Sequence, residues 1–261
     1  MKPAKIRPNQ HAFTLNELLL IIILIAALVW MFIPYRTCHP IPAGQIRAAN
    51  NGKNIVLAII SATEERKALG LGSLFPSTNA CVTPRKPNHD YTSDRISESY
   101  FADLLGRNPD ENVVENLNWH LFAGDGIPSA RTAEEFERGG HNIWNYIAAL
   151  DEDAPDDTPF LLSSNAKIDR SKLEQFTTLN GRTLPRAEAD ALLGTSKPFG
   201  KSAIVFIQKG GGFQIMQSRY FQNPALFTSA SRFDATNNAN AKVIAAANSA
   251  LNFGKDKDDH E

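Results

Sequence analysis

Residues 12–33 read AFTLNELLLIIILIAALVWMFI, and this stretch decides how the rest of the chain is interpreted. Sixteen apolar residues follow Glu17 without a break. A helix from Phe13 to Ile33 would be about 31 Å long at ~1.5 Å per residue, enough to cross the ~30 Å hydrocarbon core of a bilayer. The stretch therefore predicts a transmembrane helix over residues 13–35, preceded by a short leader over residues 1–12.

Glu17 is the one ionisable residue in this apolar segment. A charged side chain in a membrane helix costs roughly 2.5–3.5 kcal/mol at the helix centre and less near an end. Such a cost usually indicates a charged partner. The apolar run contains no basic residue, so the partner must come from outside it.

The arrangement resembles the class III signal of type IV pilins and type II secretion pseudopilins. In that family a short basic leader is followed by a small residue, then Phe-Thr-Leu-x-Glu and a hydrophobic helix. The corresponding features here are Ala12, Phe13 and Glu17, after a leader whose basic residues are Lys2, Lys5 and Arg7. The resemblance implies cleavage between Ala12 and Phe13 by a prepilin peptidase, and N-methylation of Phe13. It also implies that Glu17 meets the N-terminal amine of a neighbouring subunit.

The resemblance is strong over about 22 residues and extends to Pro34, which matches a proline that many members of the family carry. Two residues depart from the family pattern. Ala12 stands where the family strongly prefers Gly, which predicts slower processing. Asn16 replaces a residue that is usually aliphatic.

Two other interpretations of the N-terminus are a plain signal anchor and a cleaved secretory signal peptide. A cleaved signal has a 7–15-residue apolar core followed by a small-residue cleavage site. The present core is longer, and the sequence after it, Pro-Tyr-Arg-Thr-Cys, is a poor site. A plain anchor would not need the Phe-Thr-Leu-x-Glu pattern. The basic leader residues predict a cytoplasmic N-terminus, with everything beyond Arg36 exported into the periplasm and the helix in the inner membrane.

The exported part is long enough for one sizeable domain. The whole chain has 27 Lys and Arg against 28 Asp and Glu, with no basic stripe, so nucleic-acid binding has no electrostatic support. Cys38 and Cys81 would face an oxidising compartment. They either form a disulfide between stalk and domain or remain two unpaired thiols.

The elements predicted from the pattern indicate an α+β, pilin-like fold with an antiparallel sheet and several helices. The stalk and a second helix segment are assigned to residues 36–72. Prolines near residues 34–42 predict that the stalk is interrupted, with a break near His39–Pro42. The second helix is predicted to begin near Ala43. The globular domain is assigned to 73–254 and a charged, disordered tail to 255–261. The predicted helices are Thr92–Leu105, a short helix after Thr132, His141–Leu150, Pro185–Leu193 and Thr236–Phe253. The predicted strands are Trp119–Phe122, Phe160–Leu162, Ser202–Gln208 and Phe213–Gln217.

The second helix carries apolar residues at helical spacing and should pack on the sheet, as in the family. Gly210, Gly211 and Gly212 lie between the last two predicted strands. They indicate a hairpin turn, since a phosphate-binding loop would need Gly-Lys-Ser/Thr and a following helix.

No arrangement of His, Cys and Ser in the sequence matches a metal or nucleophile motif. The densest acidic stretch is a loop that contains Asp151, Glu152, Asp153, Asp156 and Asp157. Carboxylates at this density can hold Ca²⁺, and major pseudopilins bind calcium in a late loop. The spacing is not that of an EF-hand, and Pro155 and Pro159 are equally typical of a solvated loop. No other cofactor is predicted.

These observations predict a pseudopilin or minor pilin that has no reaction of its own and assembles through its N-terminal helix. Its partners would be the prepilin peptidase, other pilin subunits and the inner membrane. The alternatives are a membrane-anchored exported enzyme, such as a hydrolase, and an anchored binding domain that never assembles. Glu17 argues against the last, because an unassembled anchor gains nothing from a charge.

Overall fold

A computed structural model of the chain describes eight ranges: 14–32, 41–77, 89–106, 113–150, 153–178, 185–218, 233 and 238–251. Its contacts divide the chain into two compact units, Met1–Ile41 and Pro42–Glu261. The second helix, predicted as part of a stalk segment, therefore belongs to the same unit as the sheet. The predicted leader, most of the stalk break and the tail lie outside the described residues.

The first unit is represented by helix α1, Leu15–Phe32. After Glu17, apolar residues occupy every face of this helix, so the helix is not amphipathic. Among the described residues, no helix combines the length and the apolar character that a membrane crossing requires. Phe13 and residues 33–35 of the predicted span lie outside the described ranges.

The second unit begins with helix α2, Ala43–Ala68, which confirms the predicted second helix. Pro42 precedes its first residue, a position where the missing N–H of proline costs little and its restricted φ suits the chain entry. The helix ends before Gly70, whose φ is +73°, and the Leu71 amide donates to the carbonyl of Arg66 at 2.9 Å. This closure of the last turn requires a left-handed residue, which glycine adopts without strain.

Five strands form one antiparallel sheet, as the pattern predicted in general form. They are β1 Trp144–Ala148, β2 Pro159–Ser163, β3 Ala203–Gln208, β4 Phe213–Gln217 and β5 Lys242–Ile244. Their order in the sheet is β4-β3-β2-β1-β5. Tyr146 is paired with Leu161 on one side and with Ile244 on the other, so β1 lies between β2 and β5.

Both faces of the sheet are covered. Along β3, Val205 and Ile207 join one hydrophobic core, while Ile204 and Phe206 join a second core on the opposite face. Helix α2 packs on the first face, where Gly52 allows the close approach. A Cβ built on Gly52 would lie 2.6 Å from Ile207 Cγ1 and 2.8 Å from Trp144 Cζ2.

The remaining α-helices in the described part of the chain are α3 Glu98–Leu105, α4 Ala133–Glu137, α5 Arg170–Thr178 and α6 Arg186–Leu192. The predictions of α4 and α6 are confirmed, and Thr132 caps α4 by accepting a hydrogen bond from the Glu135 amide at 3.1 Å. The predicted segment from Thr92 is helical only in its second half. Helix α5 was not predicted, and its Leu173 lies in the second core.

Two predicted strands and the turn between them are confirmed as a β3–β4 hairpin. Gly211 adopts a φ of +82°, and the Gln208 amide donates to the Gly212 carbonyl at 2.7 Å. The glycine triplet therefore turns the chain between two strands, as expected of a residue that tolerates positive φ. The predicted strand around Phe160 is also confirmed as part of β2.

Three element predictions were wrong. His141–Leu150 was predicted to be helical, but it contains strand β1, in which all five residues are buried. A strand covered on both faces shows no alternation of polar and apolar residues, so its apolar positions also fit a helical period. Trp119–Phe122 is a 3-10 helix instead of a strand, because the side chain of Asn118 accepts from the His120 amide and closes a tight turn.

The third wrong prediction is the helix over Thr236–Phe253. The described part of this segment contains β5 and then turns through residues 245–250, which we call the C-terminal strap. Alanine favours helices, but here the backbone N–H groups of Ala246 and Ala247 bond to the side chains of Asn145 and Glu98. Tertiary hydrogen bonds have therefore replaced the helical ones.

Candidate functional site

The N-terminal end of α1 is closed by two side chains that bond each other's backbone. Thr14 precedes the helix, and Glu17 lies in its first turn. The Thr14 amide and hydroxyl both donate to Glu17 Oε2 at 2.9 Å, and the Glu17 amide donates to Thr14 Oγ1 at 3.4 Å. This is a capping box, in which a Thr and a Glu three residues later satisfy orphan donors reciprocally. The carboxylate also lies near the positive end of the helix dipole.

The body of α1 exposes its apolar side chains on all sides. Leu15 is 80% exposed, Leu20 63% and Ile23 60%. Monomeric soluble proteins rarely expose a contiguous apolar surface of this kind, and such surfaces indicate contact with a membrane or with other chains. The described part of the first unit thus presents one carboxylate in the first turn of a helix that is apolar from Leu18 onwards.

The structure does not test several predicted site residues. Ala12 and Phe13, the predicted processing residues, lie outside the described ranges, as do Cys38 and Cys81 of the predicted disulfide. Cleavage, methylation and pairing of the two cysteines remain predictions.

Part of the predicted calcium loop is visible. Asp153, Asp156 and Asp157 are described, while Asp151 and Glu152 lie outside the described ranges. Within those ranges, no three His, Cys, Asp or Glu side chains come together in a way that could hold a metal ion. The loop instead supports the hairpin, since the Gly210 amide donates to the Asp156 carbonyl at 2.8 Å. Calcium binding by the complete loop remains untested.

A polar cluster that the sequence did not indicate lies before α3. His89 Nε2 contacts Asp94 Oδ1 at 2.7 Å, and the Tyr91 hydroxyl donates to Asp103 Oδ2 at 2.9 Å. The Tyr91 ring is buried and packs edge-on against His89. Burial is the main reason that the pKa of the Tyr91 hydroxyl is raised far above its usual value, and Asp103 contributes. A neutral tyrosine that donates to a carboxylate serves here as a packed anchor for the loop.

A second buried polar group centres on Glu98, in the first turn of α3. Glu98 is fully buried, and both of its carboxylate oxygens accept from the Ala247 amide at 3.1 Å. Removal from water raises the pKa of Glu98 to about 7, although the hydrogen bond from the Ala247 amide opposes the shift. Asn142 and Ser97 are buried with it and bond each other at 2.8 Å. A spacing argument could not find this group, because its members come from three separate segments, around residues 97–98, 142 and 247.

Comparison with protein-family models, with curated proteins and with solved structures finds no match for this chain. The functional interpretation therefore depends on the residues and their geometry.

Proposed function

We propose that this protein is a type IV pilin-like subunit, a pseudopilin or minor pilin, that assembles through its N-terminal helix. The observation that carries the proposal is the lone carboxylate of Glu17 at the start of a helix in which every residue after it is apolar, with exposed side chains as far as Val29. Lipid tails or the helices of other subunits would cover that apolar surface. Glu17 would then need a positively charged group, which the resemblance supplies as the terminal amine of a neighbouring chain.

The proposed membrane span is residues 13–35, with the leader on the cytoplasmic side and the second unit in the periplasm. The positive charges of Lys2, Lys5 and Arg7 favour this orientation. The prepilin peptidase would cut before Phe13, which becomes the first residue of the mature chain. Glu17 is then the fifth residue, within reach of a neighbour's N-terminus when two helices lie side by side.

The architecture of the second unit supports the same proposal. A helix that precedes an antiparallel sheet and packs on one of its faces is the arrangement that the resemblance implies for an exported pilin domain. Here α2 covers that face, with Gly52 against Ile207 of β3 and Trp144 of β1. The domain would form the outer surface of an assembled fibre.

The decisive experiment compares the wild type with Glu17→Ala and Glu17→Gln in a host that has an active prepilin peptidase and assembly machinery. Membrane insertion and cleavage should persist in both variants, because removal of a charge lowers the insertion cost. Crosslinked oligomer per membrane-bound subunit should fall strongly in both, since neither variant can pair with an amine in a low-dielectric surrounding. Equal oligomer yield from all three proteins would favour a plain membrane anchor.

A further inference from the structure

Hydrogen bonds along most of its length hold the C-terminal strap, residues 245–250, on the domain. The Ser97 amide donates to the Ala245 carbonyl at 2.9 Å, and the Ala246 amide donates to Asn145 Oδ1 at 2.9 Å. The Ala247 amide donates to both oxygens of Glu98. Farther along, the Ala250 amide donates to the Ser164 carbonyl at 2.9 Å. Three separate segments of the domain, at residues 97–98, 145 and 164, thus hold one short piece of chain.

Apolar packing contributes comparatively little to the strap, because its apolar side chains are single methyl groups. Ala247 fits against Gly139, where an added Cβ would lie 2.3 Å from the alanine Cβ, and Ala250 fits against Gly194 in the same way, at 2.4 Å. A methyl group buries little apolar surface, so the polar contacts have a large share in holding the strap.

We propose that attachment of the strap to the rest of the domain depends on pH, because ionisation of Glu98 weakens it and lets the strap open. When the strap is closed, it keeps the Glu98 carboxyl away from water. In this buried position the neutral form of the carboxyl is favoured. When the strap lifts, the carboxyl reaches solvent, where the ionised form is favoured. Opening and loss of the proton are therefore linked.

The groups around Glu98 leave it without a compensating positive charge in the described part of the chain. The Ala247 amide donates to the carboxyl, and burial outweighs the effect of this hydrogen bond on the pKa of Glu98. The strap itself contains no titratable side chain. The titratable or charged side chains on the elements packed around Glu98 are Tyr100 and Asp103 of α3, Glu134, Glu135 and Glu137 of α4, Arg138 and His141 just after α4, Tyr146 of β1 and Lys242 of β5.

Several of those side chains form hydrogen bonds or close contacts with groups other than Glu98. His141 pairs with Glu135 at 3.4 Å, and Arg138 Nε donates to the Glu134 carbonyl. Asp103 accepts from the Tyr91 hydroxyl, while Lys242 Nζ donates to the Thr92 carbonyl at 3.0 Å. The hydroxyls of Tyr100 and Tyr146 donate to the carbonyls of Leu74 and Tyr91.

The size of the effect follows from the two pKa values. Glu98 titrates at about 7 when closed and at 4.5 as an ordinary exposed glutamate. The equilibrium constant for opening should therefore increase by up to about 300-fold as pH rises from below 4.5 to above 7. Glu98→Gln cannot ionise, so its opening should be independent of pH over this range.

The test is amide hydrogen exchange on the full chain in detergent at several pH values, with each rate divided by the intrinsic rate at that pH. Protection of the Ala246, Ala247 and Ala250 amides should decrease towards high pH in the wild type and remain level in Glu98→Gln. Glu188→Gln, an exposed glutamate on α6, is the matched control and should behave as the wild type.

Amides of β3 serve as the internal reference for global unfolding. The proposal requires the strap to exchange faster than β3, because a local opening must cost less free energy than complete unfolding. Equal protection of the strap and β3 at every pH would overturn it, as would the same pH dependence in the wild type and Glu98→Gln.

Discussion

Thr14 and Glu17 bond each other at the start of α1, so the carboxylate that is proposed to drive assembly already has partners within its own chain. The Thr14 hydroxyl and amide both lie 2.9 Å from Glu17 Oε2. A neighbour's amine would therefore have to join or replace these hydrogen bonds. The same contact gives Glu17 a local role as a helix cap, and the two roles can be separated by substitution.

Thr14→Val should weaken the helix cap by about 1 kcal/mol, because it removes the hydroxyl that accepts from the Glu17 amide. It leaves the Glu17 carboxylate in place, so oligomer yield should stay close to that of the wild type. Crosslinking of membrane-bound protein measures this directly, with Glu17→Gln as the comparison. If Thr14→Val lost as much oligomer as Glu17→Gln, capping alone would account for the carboxylate.

Processing should produce a mature chain that begins at Phe13 with a methylated amine. Mass spectrometry of the N-terminal peptide from membrane-extracted protein checks both features. Ala12→Gly should increase the processed fraction at a given time, since it restores the residue that the family prefers. An intact Met1 in a host with an active prepilin peptidase would contradict the prediction, and a terminus beyond Ile33 would indicate an ordinary signal peptide.

Gly52→Ala should destabilise the second unit by about 1–3 kcal/mol, because the new methyl group would overlap Ile207 and Trp144 between α2 and the sheet. Gly72→Ala is the matched control, since an added Cβ there meets no atom within 4 Å. Urea unfolding monitored by tryptophan fluorescence gives both free energies. Similar midpoints for the two variants would show that α2 can shift away from the sheet at little cost.

Gly211→Val should destabilise the hairpin by at least about 1–2 kcal/mol, because a β-branched residue is strained at a φ of +82°. Gly211→Asn should cost less, since asparagine tolerates the left-handed region. The difference between the two variants in urea unfolding isolates backbone strain from loss of the glycine itself. Valine as well tolerated as asparagine would mean that the turn changes its conformation.

The free energy of unfolding should depend on pH through Glu98. Its pKa is about 7 in the folded chain, above the ordinary 4.5. The stability linked to its neutral form is therefore complete below pH 4.5 and is lost as pH rises through about 7. The loss amounts to about 3 kcal/mol.

Other carboxylates titrate in the same range, so the Glu98 contribution is obtained as the difference between the wild type and Glu98→Gln. Urea unfolding at pH 4.5 and pH 8 provides the four free energies. The variant should gain stability relative to the wild type at the higher pH. A constant difference at both pH values would show that the buried carboxyl ionises at its ordinary pKa.

The sequence predicted those parts of the fold whose local pattern agreed with their environment. Helix α2, the β3–β4 hairpin and the cap of α4 each carry their own signals, in Pro42, Gly211 and Thr132. The prediction for strand β1 was wrong because burial on both faces removes the alternation of polar and apolar residues that identifies a strand. The prediction for the strap was wrong because Glu98 and Asn145 set its conformation. Both residues are distant from it in sequence, and helical propensity takes no account of them.

Of the two candidate sites, the one at Glu17 could be predicted from the sequence and the one at Glu98 could not. Glu17 was evident from sequence because a charge in an apolar run is unusual within any short window. Its bond to Thr14 follows a spacing rule as well, since the two residues are three positions apart. Glu98 gave no signal, because glutamate in the first turn of a helix is ordinary, and only the packing of α3 and the strap buries it.

The sheet order has a consequence for biogenesis. Strand β5 comes from nearly the end of the chain, yet it pairs with β1, as the partnership of Tyr146 and Ile244 shows. In the proposed topology residues 242–244 cross the membrane after the other four described strands, so β1 would keep an open edge until they have crossed. An open edge is a template for pairing with foreign strands. A subunit clipped before residue 242 would keep that edge permanently, and aggregation would then compete with assembly for every such molecule.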